Sequence, residues 1–514
     1  MAEREEQASA GDGIAFESTA GKWVLAVAVL GSGLAFLDGT VVNVALPAIG
    51  EDLDAGTSSL QWILNGYLLT LASLILLGGS LGDRFGRRRI FSFGVAWFTI
   101  ASLLCAIAPD ANTLIAARLL QGIGGALLTP GSLAMIESTF KPGDRARAIG
   151  AWSGLGGVAT AIGPLLGGWL VEAVSWRLIF LINVPIGAFV FLMANRHVPE
   201  TKDPDAPEQL DVPGAVLAAF GLAGTTYALI QAPDDGASPA VLVGAIGGIA
   251  ALAAFIQTER RSPNPMMPLS IFESKQFTAA NLVTFAVYAA LSGVFFLLVS
   301  FLQISVGYSP IAAGAATMPV TALMLVFSAR SGALAQRIGA RIPLTVGPLI
   351  LAAGMLMMTL IEPGGSYVTS VLPAVVVFGI GLTFVVAPVT ATVLAAADDR
   401  HSGMASGINN AVSRVAGLLA VAILPVIAGI TGDKFYDPTA MEDGFQIAMV
   451  AAAGLSALGG VIAWLTIDAE VLDRGDDGGE PEKPCYDCAV SGTALRPGHE
   501  HHAADPVTEG SPGS

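Results

Sequence analysis

The chain has 514 residues, of which 53% are hydrophobic and only 13% charged, with a formal net charge of −16. A soluble globular protein carries about 25% charged residues, so this length measures membrane spans rather than a row of soluble domains. The acidic balance points away from nucleic acid as a partner, and the three cysteines, Cys105, Cys485 and Cys488, make no disulfide framework.

Residues 1–21 are polar and acidic and lack the basic start of a secretory signal. They read as a disordered cytoplasmic tail. About fourteen apolar segments follow, most near the ~20 residues that cross a bilayer as a helix. They run roughly over 22–48, 59–82, 90–108, 112–136, 147–170, 177–194, 211–231, 239–257, 277–305, 311–335, 343–360, 368–396, 403–430 and 444–467. The expected class is an all-α integral membrane protein. With the N-terminus inside, twenty of the 25 Lys and Arg residues fall in inner loops and tails, and only Arg177 and Lys434 in outer loops. Lys and Arg are retained on the cytoplasmic side. The count therefore predicts an even number of spans, with both termini cytoplasmic.

The second and third segments are joined by Gly79-Ser80-Leu81-Gly82-Asp83-Arg84-Phe85-Gly86-Arg87-Arg88-Arg89. Its glycines permit a tight turn and close helix approach. Asp83 is an acid among bases, positioned to pair with Arg84 or Arg87 or to face a neighbouring helix N-terminus. The Gly, Leu, Arg, Gly and Arg positions recur at constant spacing from Gly332 to Arg341, with Gln336 in place of the acid. Such an echo marks two related halves. The halves fall at 22–194 and 277–467, each with six spans, and the linker 195–276 holds two extra spans. Residues 468–514, rich in Gly, Pro, Asp and Glu, read as a second disordered cytoplasmic tail.

Charges inside spans are costly and mark function by default. At 1.5 Å rise per residue, Asp38 in the first span lies roughly 8 Å below the outer surface of a ~30 Å core, and Arg118 in the fourth roughly 9 Å deep. The two thus share a level. Burial raises a carboxyl pKa and a nearby guanidinium lowers it, so such an acid can bind and release a proton as its exposure changes. The plainer reading is a static ion pair joining two helices. In the fifth span Gly163, Pro164, Gly167 and Gly168, extended by Gly150 and Gly154, form a small-residue face. That face suits close packing, or a surface on which the halves rock. Arg330 and Arg414 lie where long side chains can snorkel to the cytoplasmic surface, and Glu137 reads as interfacial.

Other patterns carry less. Gly78-x-Ser80-x-Gly82 has the spacing of a nucleophile elbow but no soluble sheet behind it. No Walker-type phosphate loop is present. Cys485 and Cys488, followed by His499 and His501, form a weak candidate metal site in the tail, with the wrong spacing for a structural zinc finger.

Four motifs in order resemble the major facilitator superfamily, and within it the fourteen-span drug:proton antiporter family. They are Leu37-Asp38-x-Thr40-Val41-Val42-Asn43 in the first span, the Gly79–Arg89 loop, Arg118-x-x-Gln121-Gly122, and Gly163-Pro164-x-x-Gly167-Gly168. The stretch from Trp176-Arg177 to Asn183-Val184-Pro185 is similar to the same family. Ala159 stands where the fifth-span motif usually has glycine, and spans ten and thirteen lack the acids associated with divalent-cation export.

The resemblance implies two six-helix bundles plus two extra central spans. It implies a monomeric, cofactor-free antiporter in the cell membrane that exports lipophilic drugs and antibiotics, driven by the proton gradient. Asp38 and Arg118 would couple protons. Gly79, Asp83, Arg84, Gly86, Arg87 and Arg88 would act in conformational switching, and Gly150, Gly163, Pro164, Gly167 and Gly168 in the antiporter helix. Thr40, Asn43 and Gln121 would lie at the first-span motif or the cavity. Competing readings are a dedicated exporter of an endogenous metabolite or lipid, and a non-transporting sensor acting through its tail. A membrane enzyme is disfavoured, because no cluster of His, Asp or Cys converges at an interface.

Overall fold

The computed structural model describes residues 13–204, 206, 209–397 and 402–476. Met1–Leu472 form one compact unit, and Asp473–Ser514 fall in a second, of which only the end of a 3-10 turn over Ala469–Asp476 is described. The tail residues Cys485, Cys488, His499 and His501 lie outside the described residues.

Fourteen described helices are long and apolar enough to cross a membrane. In lipid, backbone polar groups must be satisfied within the segment, which a helix does by construction. In chain order the helices are α1 Thr19–Leu53, α2 Thr57–Phe85, α3 Arg87–Ala106, α4 Ala111–Thr139, α5 Pro142–Ala173, α6 Leu178–His197 and α7 Val212–Asp235. They continue as α8 Pro239–Arg261, α9 Lys275–Ile304, α10 Pro310–Ile338, α11 Arg341–Met358, α12 Tyr367–Ala395, α13 Ser402–Ala428 and α14 Pro438–Thr466. Each expected segment coincides with one helix. Several helices outrun the apolar segment because the helix continues through polar residues at its ends, as α1 does through Glu51 and Asp52. α10 is interrupted at Thr317, two residues before Pro319, which has no N–H to donate. The Thr317 hydroxyl donates to the Gly314 carbonyl at 2.8 Å there.

Fourteen crossings put the start of α1 and the end of α14 on one side, here called the terminal end; the opposite side is the far end. Helices α1–α6 pack as one group and α9–α14 as another, while α7 and α8 pair with each other and α7 lies against α2 and α13. Trp62 of α2 meets Tyr227 of α7 with ring centroids 6.4 Å apart. Leu222 of α7 joins Leu69, Ala72 and Leu418 in one apolar cluster.

The structure departs from the expected tails. Ile14 accepts from Lys141 N at 3.1 Å and donates to Thr139 O at 2.8 Å. Phe16 N donates to Asp144 at 2.9 Å, and Ser18 caps α1 through Gly21 N at 3.0 Å. The chain from Gly13 onward is therefore bound to the start of α5. At the other end Val471 is buried and Asp468 N donates to Gln276 at 2.9 Å. Composition missed both segments because polar residues that pair with the body look like solvated tail.

The sequence echo has an atomic counterpart. Gly86 and Gly339 both have positive φ, +116° and +82°, where a side chain is strained. A Cβ on Gly86 would meet the Glu200 carboxylate at 2.6 Å, and one on Gly339 the Ala469 carbonyl at 2.4 Å. In each half the glycine thus admits the segment that follows the last helix. Two residues later an arginine binds that helix's end: Arg88 donates to Val198 O at 3.1 Å, and Arg341 to Trp464 O at 2.7 Å.

The halves are joined at the far end. Gln61 donates to Val421 O at 2.7 Å, Thr57 to Gly432 O at 2.7 Å, Tyr436 to Ala55 O at 2.8 Å, and Gln303 to Val44 O at 2.9 Å. Between α5 and α10 the contact is backbone on backbone. A Cβ on Gly314 would meet Pro164 O at 2.2 Å, and one on Gly168 would meet Pro310 O at 2.5 Å. Among the described residues, no hydrogen bond or ion pair joins the two halves at the terminal end.

Because main chain cannot yield, Gly314→Ala should force α5 from α10 at a cost of about 1–3 kcal/mol and open the far end. Spin labels at Asp54 and Asp433, in a cysteine-free background, should report a longer distance population in this variant. An unchanged distribution would show that the glycine contact does not hold the seal.

Candidate functional site

The site is built on α1 and α4. Asp110 caps α4, accepting from Thr113 N at 2.9 Å and Thr113 Oγ1 at 2.9 Å. The backbone bond first, then the hydroxyl bond, hold its carboxyl below the ordinary value. Two turns further on, Arg118 points into the α1–α6 group. Its Nη1 lies 2.5 Å from Asp38 Oδ2, and both side chains are 1% exposed.

The pair is enclosed by further donors and acceptors. Arg118 Nη1 also donates to Gln121 Oε1 at 2.7 Å, and Gln121 Nε2 donates to Asp38 Oδ1 at 2.9 Å. The three side chains therefore close a ring. Arg118 Nε donates to the Ile63 carbonyl of α2 at 3.0 Å. Gln121 Nε2 donates to Ser102 Oγ at 2.9 Å, which also accepts from Asn183 Nδ2 of α6 at 3.4 Å. The guanidinium lies over the ring of Tyr67, 4.5 Å from its centroid, and 5.7 Å from that of Phe180. A buried charge needs a partner with its remaining hydrogen bonds satisfied, and cation–π contacts add to that. Five helices, α1, α2, α3, α4 and α6, supply these groups.

The predicted first-span and fourth-span residues thus come together. Gln121 sits inside the ring. Thr40 does not reach it: its hydroxyl donates to Leu37 O at 3.0 Å and faces Gly163 of α5, where a Cβ would meet it at 2.0 Å. Asn43 donates to Gly39 O at 3.1 Å. Gly167 packs on Val41, Gly168 on α10, and Gly150 has no neighbour within 4 Å of where a Cβ would stand. The glycine face therefore serves both packing within one half and the crossing between halves.

At the terminal end Asp83 pairs with Arg87, not Arg84, at 2.8 Å. Arg84 lies over Phe85, 5.1 Å from the ring centroid. Glu200 binds Arg88 N at 3.1 Å and lies 3.5 Å from Arg88 Nε and 3.6 Å from Arg89 Nε. Sequence reasoning missed Glu200; its signal was an acid just after the last apolar segment of the same half. It also missed Ser102, Tyr67 and the role of Asn183. Arg330 is exposed and donates to Val326 O at 2.9 Å. Arg414 is half-buried, and its Nε is sealed without a partner.

Replacing one member of a buried pair leaves the other uncompensated. Arg118→Met should lower unfolding stability by about 3–5 kcal/mol, and adding Asp38→Leu should restore much of it. A thermal-unfolding cycle in one detergent decides this; a double variant no more stable than Arg118→Met counts against a self-contained pair.

Residues 28–421 match the family model described as Major Facilitator Superfamily. The chain is 35% identical over 478 residues to the puromycin resistance protein of Streptomyces alboniger, covering 90% of this chain and 94% of that protein. It is 35% identical to the tetracenomycin C resistance and export protein of Streptomyces glaucescens, covering 84% and 83%. It is 36% identical to the cephamycin export protein of Amycolatopsis lactamdurans, covering 77% and 82%. Among solved structures, a bacterial homologue of the human lysosomal transporter Spinster, inward-facing and unoccupied, is similar at TM-score 0.62 and 18% identity, covering 89% of this chain and 98% of that one.

Proposed function

Because this chain belongs to the major facilitator superfamily, we propose that it exports lipophilic small molecules, antibiotics among them, across the cell membrane by proton-coupled antiport. It is a multi-pass membrane protein and a transporter, not an enzyme. The observation that carries the mechanism is the fully enclosed Asp38–Arg118 pair.

Asp38 is the proton-carrying group in this reading. Deprotonated, it holds Arg118 and accepts from Gln121. Protonation removes the charge that Arg118 neutralises, so the guanidinium is released to move and α1 is uncoupled from α4. For antiport, the proton must favour one facing of the cleft and the substrate the other. A proton moved down the membrane potential releases about 2.3 kcal/mol per 100 mV, enough to concentrate a neutral compound tens-fold. No cofactor enters this scheme. The Asp83–Arg87 and Glu200–Arg88 contacts act as the latch of the terminal end; all lie within one half, as expected of a latch in its released state. The working unit is a monomer, and the terminal end is cytoplasmic, which the loop charge bias supports.

Relatives named for one compound, such as tetracenomycin C or cephamycin, favour a second, narrower reading: a dedicated exporter of one metabolite.

A sensitive host producing this chain should tolerate more of at least one compound in a panel including puromycin, tetracenomycin C, methylenomycin A and cephamycin. Asp38→Asn should abolish that tolerance and, in proteoliposomes, the proton release that substrate addition causes. If Asp38→Asn still exports uphill and still releases protons, another group carries them. Reporter fusions at Gly21 and after Asp468 should both read cytoplasmic; an extracytoplasmic signal at either defeats the assigned topology.

A further inference from the structure

Arg414 is a half-buried cation that the coupling scheme leaves unused. It lies 12 residues into α13, about 18 Å from the terminal end, at mid-membrane depth. Two stripes of α13 are occupied by neighbours. Gly407, Leu418, Val421 and Ala422 face α2. Asn409, Gly417 and Leu424 face α9, Asn409 donating to Thr284 at 2.9 Å. Arg414 is one heptad from both Gly407 and Val421 and so lies on the α2-facing stripe, at its edge towards α9 and one turn from the exposed Asn410. It therefore lies at the seam between the halves. No hydrogen bond or ion pair to its guanidinium is present among the described residues, and its Nε is sealed from water. It lies within electrostatic reach of Tyr67 of α2 and Tyr288 of α9, and the Tyr67 hydroxyl is also buried with no partner.

Native buried polar groups are almost always satisfied, and an intramembrane guanidinium without a counter-ion is costly. A guanidinium is a rigid planar donor fork that matches a carboxylate with two parallel bonds. We propose that Arg414, with the Tyr67 hydroxyl and the Asn410 amide, is a substrate subsite for an acidic oxygen, a carboxylate or phenolate carried on an apolar skeleton. This rests on the export reading and names the substrate class for it. An exported anion leaves down an inside-negative potential, so the charge at this subsite adds to the driving force. The ring of Tyr67 carries Arg118 on its face, so an occupant bound to its hydroxyl lies one side chain from the Asp38 pair.

The test is equilibrium dialysis on the full chain in nanodiscs at pH 7, with three labelled probes of one skeleton: 2-naphthoate, 2-naphthylmethanol and 2-naphthylmethylammonium. The naphthoate should bind at least ten-fold more tightly than the alcohol, and the ammonium most weakly. Arg414→Gln should erase the preference while leaving the alcohol unchanged; Arg414→Lys should keep part of it. Independently of any variant, naphthoate but not the alcohol should protect Arg414 from phenylglyoxal. Naphthoate binding no tighter than the alcohol, no binding at all, a preference that survives Arg414→Gln, or absent protection each overturns the proposal. A protein that prefers the anion but confers no Asp38-dependent export loses the export reading and keeps the subsite; the converse keeps export and loses the subsite.

Discussion

Everything in the first half is arranged around one carboxylate and one guanidinium that have been taken out of water together. The effective penalty for burying each ion is several kcal/mol, and mutual attraction offsets it only when the remaining donors and acceptors are also occupied. That requirement explains why groups from five helices converge on Asp38 and Arg118. Gln121 binds both ions, the Ile63 carbonyl takes the guanidinium's Nε, and Ser102, which also accepts from Asn183, accepts from Gln121. A static strut would be better made of leucine. An arrangement that needs so many partners is sensitive to the loss of one charge, which is the property a proton switch requires.

Among the described residues the second half has no such ring. Nearer its terminal end Asn409 joins Asn281 and Thr284, 3.2 and 2.9 Å away, and the pairing is neutral. The halves nonetheless repeat the same closure at the terminal end, where Gly86 with Arg88 and Gly339 with Arg341 clasp the last helix of each bundle. The shared feature is therefore architectural and the ionisable centre is confined to one side. In the proposed coupling scheme, such asymmetry would let one bundle respond to protons while the other stays a rigid counterpart.

Much of this was legible in the residues. Membrane spans announce themselves by length and apolarity, and helix rise alone put Asp38 and Arg118 at one depth. The loop glycines, the echo and the glycine face of α5 were likewise visible. What could not be read was pairing that depends on rotation and partner choice. Asp83 had two arginines within reach, and the helical turn selects Arg87 four residues on. Glu200 is distant in sequence from the arginines it binds. Snorkelling was the natural expectation for Arg414, but it stands mid-helix, and the packing of α13 against α2 and α9 keeps it at the seam between the halves. The chain ends misled for a different reason: composition cannot tell a polar segment that pairs with its own body from one that pairs with water.

The hairpin of α7 and α8 has a consequence for how a lipid-soluble molecule arrives. Through α7, which lies along α2 and α13 with Leu222 and Tyr227 against them, it roofs one of the two flanks where the bundles meet. The opposite flank, along α5 and α10, shows bare apolar side chains such as Leu155, Ile162, Val326 and Phe327 and no third helix over the crossing among the described elements. A twelve-span arrangement would leave both flanks without a covering helix; here only the α5–α10 flank is left so. In the export reading, a compound dissolved in the membrane would approach on that side and meet the first bundle's glycine face before the cleft.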